Sequence, residues 1–487
     1  MPEILLTIWA GVVLALDVAV PGIKRRTLGV LAAGGVVAAL IVTLLVAPSA
    51  ETAKEVLGGM VRNDLFASVF RIMFMVGGAL TCLASVDFKS ARAGGEYYAL
   101  VLFSTMAMSL MAASNDIMML YLATETASIA QYLLAGFMRG NKLSAEAGLK
   151  YFVFGAVTST VMLYGLSLLY GMGGGTSYTA IAPNLMDPAL RVPVTFALLL
   201  VMVGFAFKTS AVPFHFWAPD VYQGAPTPIT GFISTASKAA GFAILLRFMY
   251  YTFPPGISAA AGSWVSIMQP IAIMTMLVGT LLAVMQKNAK RMLAYSSIAQ
   301  AGYVLIGVSA FAQSVDRANA LASVVFYLAT YMLANIGAFT IVGLVSQKLG
   351  NDEIKSFAGL ARRSPYLALG MVAALLSLLG APPLVGFVGK TFLFMAAIGI
   401  NTTQAYFLVG VGVFSVLVSC WYYLGIVKAM YVDRAEGDAT PLRVPAATGA
   451  VVFLSAMGAL LVGLPIASTP FWELALSAAK SFLLVSN

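Results

Sequence analysis

Charge is what this chain has least of. Asp, Glu, Lys and Arg make up 10% of its 487 residues, against 60% hydrophobic residues, and the mean hydropathy is +0.92. A soluble domain needs a larger polar share to cover its surface, so lipid is the expected solvent. Cysteine is nearly absent: Cys82 and Cys420 lie in separate apolar runs without metal-ligand spacing and read as packing residues, not as a disulfide. The single histidine, His215, cannot build a metal site alone. No Ser/His/Asp set, haem ligand pair or nucleotide fingerprint is found, so redox chemistry on this chain and a bound cofactor or metal are not expected. The glycine-rich stretch 171–175 lacks the Gly-Lys-Ser/Thr ending of a phosphate loop and follows a helix, which makes it a linker. The first apolar run, 4–20, has an acidic residue before it and the basic cluster Lys24, Arg25 and Arg26 after it. That order is the reverse of a cleavable signal, so the run reads as a membrane span.

What is present is one long apolar run after another. A spanning helix needs roughly 20 mostly apolar residues, and only helices or closed barrels satisfy the backbone inside lipid. Barrel strands would show short alternating segments. An all-α polytopic membrane protein is therefore expected. Fourteen spans can be placed: 4–22, 28–47, 65–86, 96–112, 116–138, 146–171, 192–217, 227–252, 263–285, 291–311, 318–346, 365–398, 404–430 and 446–464.

Placing the loops alternately on two sides puts 18 of the 28 basic residues on one side and 5 on the other, the remainder lying within spans. By the positive-inside rule, both termini then face away from the cytoplasm. The net charge of +9 thus sets topology and meets anionic phospholipid; it is not a nucleic-acid footprint. The Ala- and Gly-rich composition suggests a bacterial gene, hence the cell inner membrane.

Two spans carry the same irregularity. The seventh contains Pro213 and is followed by Pro219; the twelfth contains Pro382 and Pro383 flanked by Gly380 and Gly386. A mid-membrane proline removes a hydrogen bond and clashes with the preceding turn, so both helices should be broken. Paired broken helices point to an inverted-repeat transporter core with ion sites near the midplane. The resulting organisation is 1–95 for helices one to three, 96–252 and 263–430 for two inverted five-helix repeats, and 446–487 for helix fourteen and a tail.

Charges inside a membrane cost at least ~2.5–3.5 kcal/mol each, so each needs a reason. Glu125, Lys208, Lys238 and Lys390 all sit deep in apolar runs. Burial disfavours the charged form of amine and carboxyl alike, which makes a Glu–Lys pair a switch. With the carboxylate close the lysine holds its proton, and with it withdrawn the proton leaves. Ser234, Ser237, Tyr327 and Tyr331 are candidate linkers between the sites, and packing hydroxyls are the competing reading. His215 is either a proton-uptake group or a cap of the broken helix. Arg71 and Arg247 lie nearer span ends, where a stem reaching the interface accounts for them; Asp17 reads as interfacial.

At these residues the chain resembles a known family. The segment beginning at Lys208, KTSAVPFHFWAPDVYQGAPTP, resembles the signature of the antiporter-like subunits of complex I (NADH:quinone oxidoreductase) and of the related Mrp-type antiporters. The segments KRMLAYSSIAQAGY from Lys290 and PLVGFVGK from Pro383 match two more family stretches, and together they cover about 97–430. Within the family the likeness is greatest to the N-type subunits: Lys390 stands where one sister subunit has glutamate, and no long lateral helix follows span fourteen. The resemblance implies proton translocation driven by quinone reduction in neighbouring subunits, with a Glu125–Lys208 pair, a central Lys238 and an outlet Lys390. It implies sister antiporter-like subunits as partners, and NADH, flavin, iron–sulfur clusters and quinone on those other chains. Gln300 departs from the histidine found in many relatives, so a half-channel through that position must use water or tyrosine.

The competing readings are a Mrp-type or free-standing cation/proton antiporter, a hydrogenase-associated or purely structural membrane subunit, and, more distantly, a solute transporter. Four membrane charges have no purpose in inert scaffold, which argues against the structural reading. The loop-charge balance predicts that a C-terminal alkaline phosphatase fusion is active and a fluorescent-protein fusion dark. The reverse pattern would put the termini in the cytoplasm.

Overall fold

The computed structural model describes residues 2–20, 22–49, 52–88, 94–254, 261–434 and 441–484; Lys89 and Arg92, counted in the loop-charge balance, lie outside them. The chain is built of helices: α1 Pro2–Ala19, α2 Arg25–Val46, α3 Leu65–Val86, α4 Gly95–Ala113, α5 Ile117–Ala135, α6 Lys142–Gly173, α7 Arg191–Thr209, α8 Trp217–Gly224, α9 Thr227–Thr252, α10 Ala261–Val284, α11 Ala289–Gln313, α12 Arg317–Leu349, α13 Pro365–Leu379, α14 Val385–Ile398, α15 Thr403–Tyr431, α16 Ala446–Leu461 and α17 Pro465–Leu483. Short polar side chains start many of them. Asp64, Asp116, Asn141, Asn288 and Thr402 each accept a hydrogen bond from a first-turn N–H of α3, α5, α6, α11 and α15, satisfying donors that the helix itself leaves open.

Among the described residues, twelve helices are long and apolar enough to cross a membrane, and α16 with α17, bent by 89°, makes a thirteenth if taken as one span. The expected twelfth span is two shorter helices, α13 and α14, so the count of fourteen rests on taking that pair as one broken crossing.

The two expected breaks are present and alike. Helix α7 ends with Ser210 in the left-handed region (φ 58°), and α13 ends with Gly380 there (φ 89°). In each, the N–H of that residue donates back to Phe207 or Ser377, and the next N–H, of Ala211 or Ala381, donates to Ala206 or Leu376. This is the Schellman ending. A cis proline follows three positions later in both, Pro213 and Pro383. At the second break Gly386 is required: a Cβ there would lie 1.7 Å from the Ser377 carbonyl oxygen.

Burial divides the helices into centre and rim. The most apolar windows of α9, α11 and α12 are 100%, 94% and 89% buried inside the protein, against 28% for α1 and 39% for α2, α6 and α15. Polar side chains on the first three therefore face protein, which is where an ionisable group in a membrane can be paired.

The structure corrects two readings of the sequence at the ends of spans. Arg247 does not reach an interface. It is fully buried, pairs both terminal guanidinium nitrogens with Asp64 at 2.8 Å, and donates from Nε to the Ala112 carbonyl at 2.9 Å, with the Phe66 and Phe482 ring centres 5.2 and 5.5 Å away. Arg71 is also buried, bonded to Glu3 at 2.6 Å and to Asn63. The chain after the expected fourteenth span is also helical, as α17, which packs on α3 through Phe482 and on α14 through Trp472. A small hairpin, β1 Lys54–Val56 and β2 Val61–Asn63, precedes α3. Asp17 accepts from the Gly95 N–H at 2.7 Å, tying α1 to the start of α4.

The Asp64–Arg247 pair yields a stability test. Removing one partner of a buried ion pair costs about 3–5 kcal/mol, whereas replacing both by apolar groups can be near neutral. Asp64→Asn, which keeps the helix cap, should lower the thermal stability of the detergent-solubilised protein, and adding Arg247→Met should recover most of the loss. A double variant no better than the single would contradict this.

Candidate functional site

Lysine Nζ atoms buried in a membrane protein need oxygen atoms in place of water. Lys208, Lys238 and Lys390 are each at most 4% exposed, and each finds such atoms differently. Lys208, the penultimate residue of α7, donates to Ser128 Oγ at 3.0 Å and to Gln131 Oε1 at 3.2 Å on α5. Lys238, on α9 directly after a π-helical turn at Ile233–Ser237, donates to the carbonyl and hydroxyl oxygens of Ser297 on α11, both at 2.6 Å. Lys390 on α14 donates to the Leu378 and Leu379 carbonyls at 2.7 and 2.8 Å, and its Nζ lies 4.7 Å from the centre of the Tyr303 ring. Those two carbonyls are available because α13 ends there, and the negative end of the helix dipole favours a cation. The break thus makes the binding site for Lys390.

Glu125 is half-buried on α5 and shares one small cavity with Lys208, Ser128, Tyr132 and Ser159. No ion pair joins Glu125 to Lys208 among the described residues, whose shortest ion pairs lie elsewhere. The Lys208 ammonium is turned instead towards Gln131.

Polar side chains connect the three lysines. Gln131 Oε1 accepts from Ser237 Oγ at 2.8 Å as well as from Lys208 and Tyr151. Ser237 adjoins Lys238, which bonds Ser297; Tyr331 also donates to Ser297 Oγ at 2.7 Å, and Asn335 holds Tyr331 at 3.0 Å. Beyond, Ser296 Oγ and Tyr423 OH share a short hydrogen bond, Gln300 Nε2 donates to Tyr423 OH at 3.3 Å and to Leu378 O at 2.9 Å, and Leu378 O is the acceptor of Lys390. Tyr327 donates to Gln300 Oε1. Two joints are steps between sequence neighbours, Ser237 to Lys238 and Ser297 to Ser296, and not hydrogen bonds.

Of the residues singled out in the sequence, Lys208, Lys238, Lys390, Ser237, Tyr327 and Tyr331 therefore lie along one row. Ser234 is at its edge: its carbonyl accepts from Tyr331 and its hydroxyl from Asn335. Gln300 meets tyrosines where relatives were expected to use histidine. His215 stands apart, buried in the first break with its ring against Phe216. Ser128, Gln131, Ser297 and Tyr423 were not singled out, because a neutral polar residue in an apolar helix carries no signal of its own.

The short helix α8 after the first break is anchored by ion pairs to α6 and α11. Asp220 accepts from Lys150 of α6 at 2.6 Å and from Arg291 of α11 at 2.5 Å. Burial opposes its charge, but the two cations outweigh that and hold the carboxyl below its ordinary range. No group of three or more His, Cys, Asp or Glu side chains among the described residues is placed to hold a metal ion.

Comparison with known proteins identifies the family. Residues 114–419 match the family described as NADH:quinone oxidoreductase/Mrp antiporter, TM. The chain is 41% identical to NADH-quinone oxidoreductase subunit N of Moorella thermoacetica over 97% of its own length and 96% of that protein. Its fold is similar to a chain of respiratory complex I from Thermus thermophilus, with a TM-score of 0.78, 33% identity and coverage of 95% and 98%. A chain of the Mrp complex from Dietzia sp. shares the fold, with a TM-score of 0.80 at 22% identity over 98% and 97% of the two chains.

Proposed function

The chain belongs to the NADH:quinone oxidoreductase/Mrp antiporter family, and we propose that it acts as a proton-translocating membrane subunit of NADH:quinone oxidoreductase. The observation that carries this is the buried row of polar groups linking Lys208, Lys238 and Lys390. Glu125 and Lys208 form the switchable pair of the first half. Lys238 is the central carrier, held by Ser297. Lys390 is the outlet, held by the carbonyls that the break in α13 exposes. Ser237, Tyr327 and Tyr331 link these sites, and His215, in the first break, acts as part of the broken helix.

The two breaks match in their Schellman endings and proline spacing, which supports 96–252 and 263–430 as two inverted five-helix repeats. NADH, flavin, iron–sulfur clusters and quinone belong to partner chains, with sister antiporter-like subunits and phospholipid as neighbours in a bacterial inner membrane. The Mrp-type antiporter shares the fold but at lower identity, so the oxidoreductase reading is favoured.

NADH-driven proton pumping in inverted membrane vesicles tests it. Lys238→Ala and Glu125→Ala, with assembly confirmed, should each slow pumping at least tenfold, because a positioned proton-transfer group is worth about 10²–10⁴ in rate. Assembled variants that pump at the wild-type rate would make the buried charges structural.

A further inference from the structure

Gln131 has an unusual load for a neutral residue. It is fully buried, and its one carbonyl oxygen is approached by three donors: Lys208 Nζ at 3.2 Å, Tyr151 OH at 3.2 Å and Ser237 Oγ at 2.8 Å. Its Nε2 donates to Ser104 Oγ at 2.9 Å. The ammonium fixes which end of the amide faces it, since the opposite orientation would set an N–H against a cation. A carbonyl oxygen has two lone pairs, so three donors cannot all be well served, and the bond to Lys208 is the kind that can be exchanged. The ammonium, which also donates to Ser128 Oγ at 3.0 Å, is thereby tied to the amide that Ser237 shares, and among the described residues it makes no ion pair with Glu125.

The second half has a counterpart. Gln300 on α11 stands 169 positions after Gln131 on α5, while the two breaks, at Ser210 and Gly380, stand 170 apart. Gln300 too is buried beside the lysine of the broken element, sharing the Leu378 carbonyl with Lys390 and accepting from Tyr327.

We propose that Gln131 is a positioning residue that holds the Lys208 ammonium on the Lys238 side of its cavity, away from Glu125. The proposal rests on the relay reading of Glu125, Lys208 and Lys238. An amide suits the task because it does not titrate in the working range and so orients the amine without taking its proton. A carboxylate in its place would compete with Glu125 and clamp the lysine. The titratable groups that surround Lys208 are Glu125 and Tyr132 of α5 and Tyr151 of α6, with Lys238 beyond Ser237 on α9.

The test uses the assembled complex, comparing wild type with Gln131→Met, which keeps length without an acceptor, and Gln131→Glu, which keeps the acceptor and adds charge. NADH-driven pumping should fall by roughly tenfold or more in Gln131→Met, the worth of one hydrogen bond to a charged group. The alkaline limb of its pH profile should move to lower pH, because the protonated amine has lost a partner; in Gln131→Glu the limb should move to higher pH. Opposite shifts are not produced by a packing defect. If Gln131→Met fails to assemble, the direction of the Gln131→Glu shift decides alone. Unshifted profiles in the assembled variants would overturn the proposal. Lys208→Ala and Lys238→Ala measured alongside separate the two failures: if they also pump normally, the relay reading falls as well, and if they do not, only the role of Gln131 does.

Discussion

An ammonium group taken out of water must recover its lost hydration from oxygen atoms fixed in the protein, and this requirement shapes the core. Among the described residues Lys238 and Lys390 form no ion pair with a carboxylate; their partners are carbonyl and hydroxyl oxygens. Helical backbone offers spare carbonyls mainly at its ends, so Lys390, which bonds two backbone carbonyls, is served by a helix that ends beside it. The break between α13 and α14 supplies one, with Gly380 and Gly386 allowing the two halves to turn and close together. The prolines and glycines of that element are thus part of the lysine's binding site as much as of the chain path.

The contrast with the arginines is instructive. Arg247 and Arg71 are buried as deeply as the lysines, yet both meet carboxylates directly, Asp64 and Glu3. A guanidinium keeps its proton under all working conditions and presents a fork that fits a carboxylate, so these pairs lock α9 and α3 to their neighbours. The lysines instead meet neutral oxygens of hydroxyls, an amide and backbone carbonyls. Buried arginine–carboxylate pairs fix the helices that surround the three lysines.

Much of this was legible in the sequence. Composition and apolar runs specify an all-helical membrane protein, the paired prolines locate both breaks, and Glu125, Lys208, Lys238 and Lys390 stand out because a charge in an apolar run is costly. The connecting residues were only partly legible. Ser237, Tyr327 and Tyr331 could be named, but Gln131 and Ser297 matter through contacts with residues 59 to 106 positions away, which periodicity cannot reveal. Arg247 was misread for the same reason: its distance from a span end was visible, and Asp64, 183 positions away, was not. Helix α17 was missed because Pro465, Pro470 and Glu473 interrupt what would otherwise read as an apolar run.

The central claim is that Lys208 and Lys390 serve one path in series, and a double variant tests it most directly. Once a single path is blocked, a second block along it adds little, whereas independent contributions multiply. The measurement is NADH-driven pumping by assembled complexes carrying Lys208→Ala, Lys390→Ala and both. The account predicts that the double variant pumps no more slowly than the slower single variant. Losses that multiply would mean the two lysines act independently, and the buried row between them would not be a single path.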